Sequence, residues 1–515
     1  MRTTKGLPGP KGLPLLGNLL QLDLARLHQV LEKWCQEFGT LYSFELGTRT
    51  VVVVAEPELI QNILRQRPTK FRRMGSIEPV FKEMGITGVF SAEGEQWKRQ
   101  RRLTAHALDA GHLREFFPTL IKVTERLRSR WHAAAQHHKP ADVQQDLMRY
   151  TVDVTTNLAF GYDMNTLEKE GDIIQQHLEK IFPMINRRVN AAFPYWRYFK
   201  LPSDNALDRS LDSVRETITG FVTQGRARLA QHPELAAHPT NFLEAMLSAR
   251  DEGGAAFTDE EVYGNVLTML LAGEDTTANS LAWMMHFMVE HPGIQARMRE
   301  ETEQVVGRAG VLGQLQDAER LKYIEAVAHE TMRLKPVAPV LFLESNEDVE
   351  VGDVSMPKAT PVMLLALHPA LQDAHFTAAA QFKPERWLEP APSPSCAHNP
   401  KAFVPFGAGP RFCPGRNLAL LEIKMVMAML CSTFDISKPE HAGPVEEIFS
   451  FTMMPENLSV VFHERGEPKA GNAPGLSNHA VKSLSPEIAG ALIQVPTTST
   501  INIQPSCRRR AALFV

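Results

Sequence analysis

Apolar residues recur at helical spacing through most of residues 95–336, so the bulk of the chain is predicted to be α-helical. Ahead of that stretch the period is two. Residues 41–46 and 51–55 alternate apolar and polar on either side of Gly47-Thr48-Arg49, which predicts a β-hairpin. Short strand-like runs return at 337–343 and 360–365. Pro and Gly then crowd 384–415 into loop, and a last helix is expected from about Pro414 to Ser432. Residues 6–21 form a Pro/Gly-rich lead-in. The pattern predicts a mainly α protein with a small β subdomain. It contains no internal repeat and no Gly-rich phosphate loop, so no nucleotide-binding domain is fused on. Residues 466–515 are rich in Gly, Pro, Ser, Thr and Asn and are expected to be a disordered tail behind a domain of residues 1–465.

One predicted helix stands apart, over residues 259–290. Thr258 followed by Glu261 makes a capping box at its start, and His291-Pro292 ends it because proline cannot continue the hydrogen-bond ladder. At 1.5 Å per residue it spans roughly 50 Å. Midway, between the apolar stretches 266–271 and 281–288, lies Ala272-Gly273-Glu274-Asp275-Thr276-Thr277. Acids in such a setting are costly unless partnered, and threonine hydroxyls can bond back to carbonyls and bend the helix. The segment is either a kinked core helix beside a solvated pocket or part of a reactive site.

Length and composition narrow the class. At about 150 residues per domain, 515 residues suggest about three domains. A hydrophobic fraction of 43% is ordinary for a globular core, and a net charge of −4 offers no field for nucleic acid or an anionic membrane. No apolar run approaches a spanning helix, and Pro8, Pro10 and Pro14 interrupt the lead-in, so neither signal peptide nor anchor is expected. Five cysteines (Cys35, Cys396, Cys413, Cys431, Cys507) are too scattered for a disulfide framework. A soluble, reduced, cytoplasmic protein is the expectation.

The most specific signal is Phe406-Gly407-Ala408-Gly409-Pro410-Arg411-Phe412-Cys413-Pro414-Gly415. A cysteine presented from a Gly-rich loop just before a helix sits at that helix's N-terminus, where the dipole and free N–H groups favour a thiolate. Gly407 and Gly409 let the backbone fold closely around the sulfur, and Arg411 adds a cation two residues away. The plainer alternative is a buried, inert cysteine.

This loop resembles the haem-binding loop of the cytochrome P-450 superfamily of haem-thiolate monooxygenases. Further landmarks follow in that family's order. Trp97-Lys98-Arg99-Gln100-Arg101 resembles its Trp-x-x-x-Arg, Ala272-Gly273-Glu274-Asp275-Thr276 its oxygen-activation segment, Glu330-Thr331-Met332-Arg333 its Glu-x-x-Arg, and Pro384-Glu385-Arg386-Trp387 its meander. The resemblance covers about residues 6–464, which reduces three expected domains to one. It implies a triangular helical prism enclosing haem b between the long helix (helix I) and the cysteine loop with the helix after it (helix L). Cys413 would be the axial iron ligand. Arg411, Trp97 and Arg101 would hold the propionates, with Phe406, Gly407 and Ala272 also lining the cofactor and Phe412 shielding the sulfur. Thr276 and Asp275 would deliver protons to dioxygen, and Glu330, Arg333 and Arg386 would form a buried structural ion-pair network. The strand after Pro339 departs from the family in carrying no basic residue to meet a propionate, and residues 105–108 read Ala-His-Ala-Leu where Pro-x-Phe is common.

The implied activity is insertion of oxygen from O2 into a hydrophobic small molecule, by hydroxylation or epoxidation, with two externally supplied electrons. No flavin or iron–sulfur motif is present, so a ferredoxin or flavodoxin with its reductase is expected. It would dock on a basic patch of Lys98, Arg99, Arg101, Arg102, Arg416 and Lys424, unless these are an ordinary solvated face. The substrate pocket is expected from residues 71–90, 181–198, Ala272, 337–342 and 452–454, with Arg187 and Arg188 either solvated or reaching a substrate carboxylate. A monomeric, soluble bacterial-type enzyme results. The alternatives are a peroxide-dependent haem-thiolate peroxygenase and a non-catalytic haem-binding protein.

Overall fold

The computed structural model describes residues 1–465 except 107, 109, 138, 170–172, 190, 192, 252, 308–309 and 389–397. The expected tail 466–515, Cys396, Cys507 and Ala107 lie outside the described residues. The hairpin forms where the alternation places it: Leu41–Leu46 pairs antiparallel with Arg49–Val54, with Tyr42 opposite Val53. Arg49–Val54 then pairs in parallel with Pro361–Leu365. Val340–Ser345 and Phe71–Arg73 complete a five-stranded sheet, in the order Leu41–Leu46, Arg49–Val54, Pro361–Leu365, Val340–Ser345, Phe71–Arg73. Three smaller sheets accompany it, and helices make up most of the rest.

The central helix runs Asp259–Glu290, with Thr258 and Glu261 in the expected reciprocal capping box. Its two apolar halves serve different cores. Val262, Val266, Leu267 and Leu271 belong to one hydrophobic cluster, whereas Ala278, Leu281, Met284 and Met288 belong to another. The polar segment 272–277 therefore falls at the seam between two cores, where packing is incomplete and a cavity opens. Close packing also fixes Gly273: a Cβ there would lie 2.3 Å from Thr155 Cγ2 on the adjacent helix Val143–Phe160. The helix stays continuous through this segment, so the expected bend does not interrupt its ladder.

Two boundaries shift for local reasons. The last helix begins at Arg416 rather than Pro414 and runs to Thr433, with Gly415 as its N-cap. Pro414 and Gly415 form a turn between cysteine and helix. The strand expected from Val337 begins only at Val340, because Pro336 and Pro339 cannot donate to a ladder. Met1–Arg465 form one compact unit.

Candidate functional site

The seam encloses a cavity of about 960 Å³, bounded on one side by the central helix and on the other by the cysteine loop. The loop's shape depends on glycine at two positions. Gly407 and Gly409 have φ of 74° and 67°, and a Cβ on Gly409 would lie 2.6 Å from the carbonyl oxygen of Leu64. Cys413 N donates to Phe406 O at 2.9 Å, closing the loop. The N–H groups of Gly415 and Arg416 donate to the Cys413 sulfur, as a helix N-terminus should. Burial nonetheless pushes the Cys413 thiol up, and those N–H groups with Arg101 oppose the rise only in part. The expected thiolate preference is thus present but outweighed by burial. A metal cation on the sulfur reverses that balance, since a coordinating thiol is deprotonated outright.

Beside the cysteine, four arginines converge on the cavity wall. Trp97 and Arg101 share one face of the helix Gly94–His106, and the Arg411 guanidinium lies 4.7 Å over the Trp97 ring. Arg411 also bonds Ala92 O and pairs with Glu93, both at 2.6 Å. Arg101 donates to Phe412 O at 2.7 Å. Sequence reasoning missed the other two, Arg67 and Arg73. Arg73 stands opposite Leu343 in the strand Phe71–Arg73, so it supplies from the neighbouring strand the basic side chain that residues 340–344 lack. Its signal was legible only as two consecutive arginines in an expected pocket segment. Burial and the like charges of Arg67 and Arg411 push Arg73 down to about 9, and burial pushes Arg411 down to about 10. Arg67 Nε and Nη2, Arg73 Nε and Arg411 Nε are buried with no hydrogen-bond partner among the described residues.

Across the cavity, Ala272, Gly273, Thr276 and Thr277 line the wall. Thr276 Oγ1 donates to Ala272 O at 2.8 Å, the back-bond a helical threonine favours. Asp275 does not line the cavity. It is buried behind the wall, where its carboxylate accepts from Asn279 Nδ2 at 2.8 Å and from Thr452 Oγ1. Burial raises the Asp275 pKa against these two bonds. Glu422, on the last helix, also lines the cavity. Burial pushes it up to about 8 despite a hydrogen bond with Thr277. Neither Asn279, Thr452 nor Glu422 was singled out from the sequence as chemistry-bearing, because the burial and the partners that give each its role are set by the fold.

Glu330, Arg333 and Arg386 come together in one buried cluster. Arg333 grips Glu330 through Nε and Nη2 at 2.9 and 2.8 Å, Arg386 Nε reaches Glu330 at 3.0 Å, and Trp387 Nε1 adds a bond at 2.9 Å. Other expectations are corrected. Phe406 lines the cavity, but Phe412 is 40% exposed and does not. Lys424 is buried and paired with Glu325 at 2.6 Å, and Arg99 is tied to Asp251 and Glu261, so neither is free for a basic patch. Arg188 is neither solvated nor aimed at a substrate: it is buried against Asp204 at 3.0 Å. Of residues 181–198, Ile185, Asn186, Val189 and Ala191 line the cavity, while Phe193 is exposed and Trp196 bonds Glu83 instead.

A haem fits this chamber. A macrocycle would have room between Cys413 and the central helix, and the guanidinium N–H groups that the protein itself leaves unmet are suited to carboxylates such as its propionates. The comparisons agree. The cytochrome P450 family model matches residues 7–462. The human mitochondrial 25-hydroxyvitamin D-1 alpha hydroxylase is 28% identical over 497 residues, covering 90% of this chain and 93% of the relative. Mouse cytochrome P450 3A13 is 26% identical over 470 residues, covering 88% and 90%. A bifunctional cytochrome P450/NADPH–P450 reductase of Gibberella moniliformis is 26% identical over 507 residues, covering 94% of this chain and 44% of the relative. Among the described residues no helix is long and apolar enough to cross a membrane. With a cysteine loop, a cation cradle and a split central helix face arranged around one chamber, and a family match over nearly its whole described length, the chain belongs to the cytochrome P450 family.

Proposed function

We propose that in this haem-dependent monooxygenase Cys413 would hold the haem iron through its sulfur, and Arg67, Arg73, Arg101 and Arg411, with Trp97, would hold the two propionates. Phe406, Gly407 and Ala272, which line the cavity, would pack against the macrocycle. When bound, the haem supplies reductive activation of O2 for oxygen insertion into a C–H bond or a double bond. The chain's own residues do the rest. Glu93 neutralises one of the four cations and keeps Arg411 turned toward Trp97. Thr276 presents its hydroxyl at the wall, and Asp275 serves as the acid behind it. The apolar side chains of Phe81, Phe90, Val340, Phe342 and Phe451 keep water from a hydrophobic substrate. Glu330, Arg333 and Arg386 keep their structural role. Residues 1–465 are the catalytic domain.

The electrons come from a separate ferredoxin- or flavodoxin-type protein with its reductase. Exposed Lys98 and Arg102, with half-buried Arg416, support docking on the cysteine side. One relative is named as carrying its reductase in the same chain. The unbridged thiols of Cys35 and Cys431 support a reducing compartment, and we assign the cytoplasm and a monomeric state.

The observation that carries this reading is the set of buried guanidinium N–H atoms without a partner around a chamber closed by a cysteine loop. The test is the spectrum of the dithionite-reduced, CO-bound protein. A Soret band at the far-red position of thiolate ligation, lost in Cys413→Ala, supports the assignment. A band only at the position of histidine or thiol ligation in fresh protein refutes it.

A further inference from the structure

We propose that Thr452 is the residue through which Asp275 acts on the cavity. The proposal rests on the monooxygenase reading and names a group that reading leaves unassigned. Asp275 carries the acid but does not line the chamber, whereas Thr452 touches both. Thr452 sits at the tip of a hairpin formed by Glu446–Phe449 and Met453–Glu456, which reaches the central helix from another part of the chain. Its hydroxyl meets Asp275 Oδ2 and also accepts from Asn279 Nδ2 at 3.1 Å. Asn279 Nδ2 holds Asp275 Oδ1 at 2.8 Å, and Gln144 Nε2 in turn orients Asn279 through Oδ1 at 2.9 Å. One face of the carboxyl is therefore fixed by amides and the other by a hydroxyl.

That division has a chemical consequence. An amide N–H holds a carboxylate but does not readily give up or take a proton, while a hydroxyl can do both at one atom. Protonated Asp275 gives its Oδ2 proton to Thr452 Oγ1 as Thr452 gives its own proton to a water in the cavity. Two O–H bonds break and two form, leaving a hydronium in the chamber and a carboxylate held by Asn279. A solvent proton, entering beside half-exposed Gln144, restores the acid. The carboxyl of Asp275 bonds the hydroxyl of Thr452, whereas the Thr276 hydroxyl bonds Ala272 O.

The hydroxyl is not needed to place the hairpin. Met453 N bonds Val337 O at 2.9 Å, Trp283 Nε1 bonds Met453 O at 3.2 Å, and Ser450 N bonds Thr452 O at 3.1 Å. Thr452→Val preserves shape and those backbone bonds while removing the proton path. Burial, Thr452 and Asn279 are the influences on Asp275, so loss of the hydroxyl removes one of two bonds that favour the charged form.

The experiment uses the haem-loaded full chain as native protein, Thr452→Val, Thr452→Ser and Asp275→Asn. Infrared titration follows the protonated-carboxyl stretch that Asp275→Asn lacks. Its midpoint moves up in Thr452→Val and stays native in Thr452→Ser. Styrene epoxidation with a surrogate reductase reads the second consequence: product per NADPH falls at least about tenfold in Thr452→Val, electrons appear as peroxide, and Thr452→Ser restores coupling. An unmoved infrared midpoint in Thr452→Val overturns the proposal whatever turnover does. A moved midpoint with native coupling also overturns it, leaving Thr452 as a support for the carboxyl alone. Should Thr452→Val not retain haem, Thr452→Ala carries the same expectations. A native protein without the thiolate CO band instead defeats the monooxygenase reading, and the infrared result stays separate from that failure.

Discussion

Replacing Arg73 by methionine should stabilise the haem-free protein and weaken the haem-loaded one. The opposite signs follow from the cradle. At neutral pH the guanidinium is held charged where its pKa has fallen from the ordinary arginine range to about 9, a cost of at most roughly 5 kcal/mol that water in the open cavity reduces to ~2–3 kcal/mol. Against this stand one bond from Arg73 Nη2 to Phe90 O at 3.0 Å and a cation–π contact with Phe90 at 3.9 Å. Together they are worth ~1–2 kcal/mol. Without haem, Arg73→Met should therefore gain about 1 kcal/mol. With haem, the lost charge-assisted bond to a propionate costs ~2 kcal/mol against that gain, so the loaded variant is ~1 kcal/mol less stable than native and haem affinity falls by ~2 kcal/mol, or about 30-fold. Urea unfolding of both forms, and haem transfer to an acceptor globin, measure the two terms. The pH dependence adds a check. Below pH 9 folded and unfolded chains both keep the proton and the penalty is full. From pH 9 up to the ordinary arginine range the unfolded chain binds the proton that the folded site sheds, so haem-free native protein gains stability as pH rises through that window. Arg73→Met lacks that gain. A variant less stable than native without haem, yet unchanged in haem transfer, would refute the argument, because Arg73 would then be satisfied by the protein alone.

Glu330→Gln leaves Arg333 and Arg386 buried without their shared carboxylate and should cost about 3–5 kcal/mol in urea unfolding; a loss below ~1 kcal/mol would mean that Arg386 is carried by the carbonyls of Thr377 and Ala378. Glu422 holds a proton in the folded state that the unfolded chain releases between pH 4.5 and about 8, so its contribution falls as pH rises through that window. Thermal melts of Glu422→Gln should accordingly match native protein near pH 5 and exceed it near pH 9, and parallel profiles would contradict the raised acid. Gly273→Ala places a Cβ 2.3 Å from Thr155 Cγ2 and should destabilise by ~1–3 kcal/mol despite alanine's better helix propensity. Adding Thr155→Ser, which deletes that methyl group, should return most of the loss in a double-mutant cycle.

Local chemistry along the chain was enough to determine the elements and the identity of the reactive loop. The central helix is bounded by its capping box and by Pro292, both readable because they act within one turn. The Cys413 loop is readable because two glycines, an arginine and a cysteine must stand at fixed offsets for the backbone to close on the sulfur. What tertiary structure alone decided is which distant charges share one environment. Arg73 reaches the chamber through pairing with a strand some 270 positions away in the chain, opposite Leu343. Lys424 leaves the expected basic patch because the helix Lys322–Leu334 brings Glu325 to it. Asp275 turns from the cavity wall because a hairpin tip from the far end of the domain presents Thr452 to it. Periodicity reports a side chain's own secondary structure, but burial cost and charge pairing depend on neighbours from other elements, and those are set only when the two cores close around the seam between them.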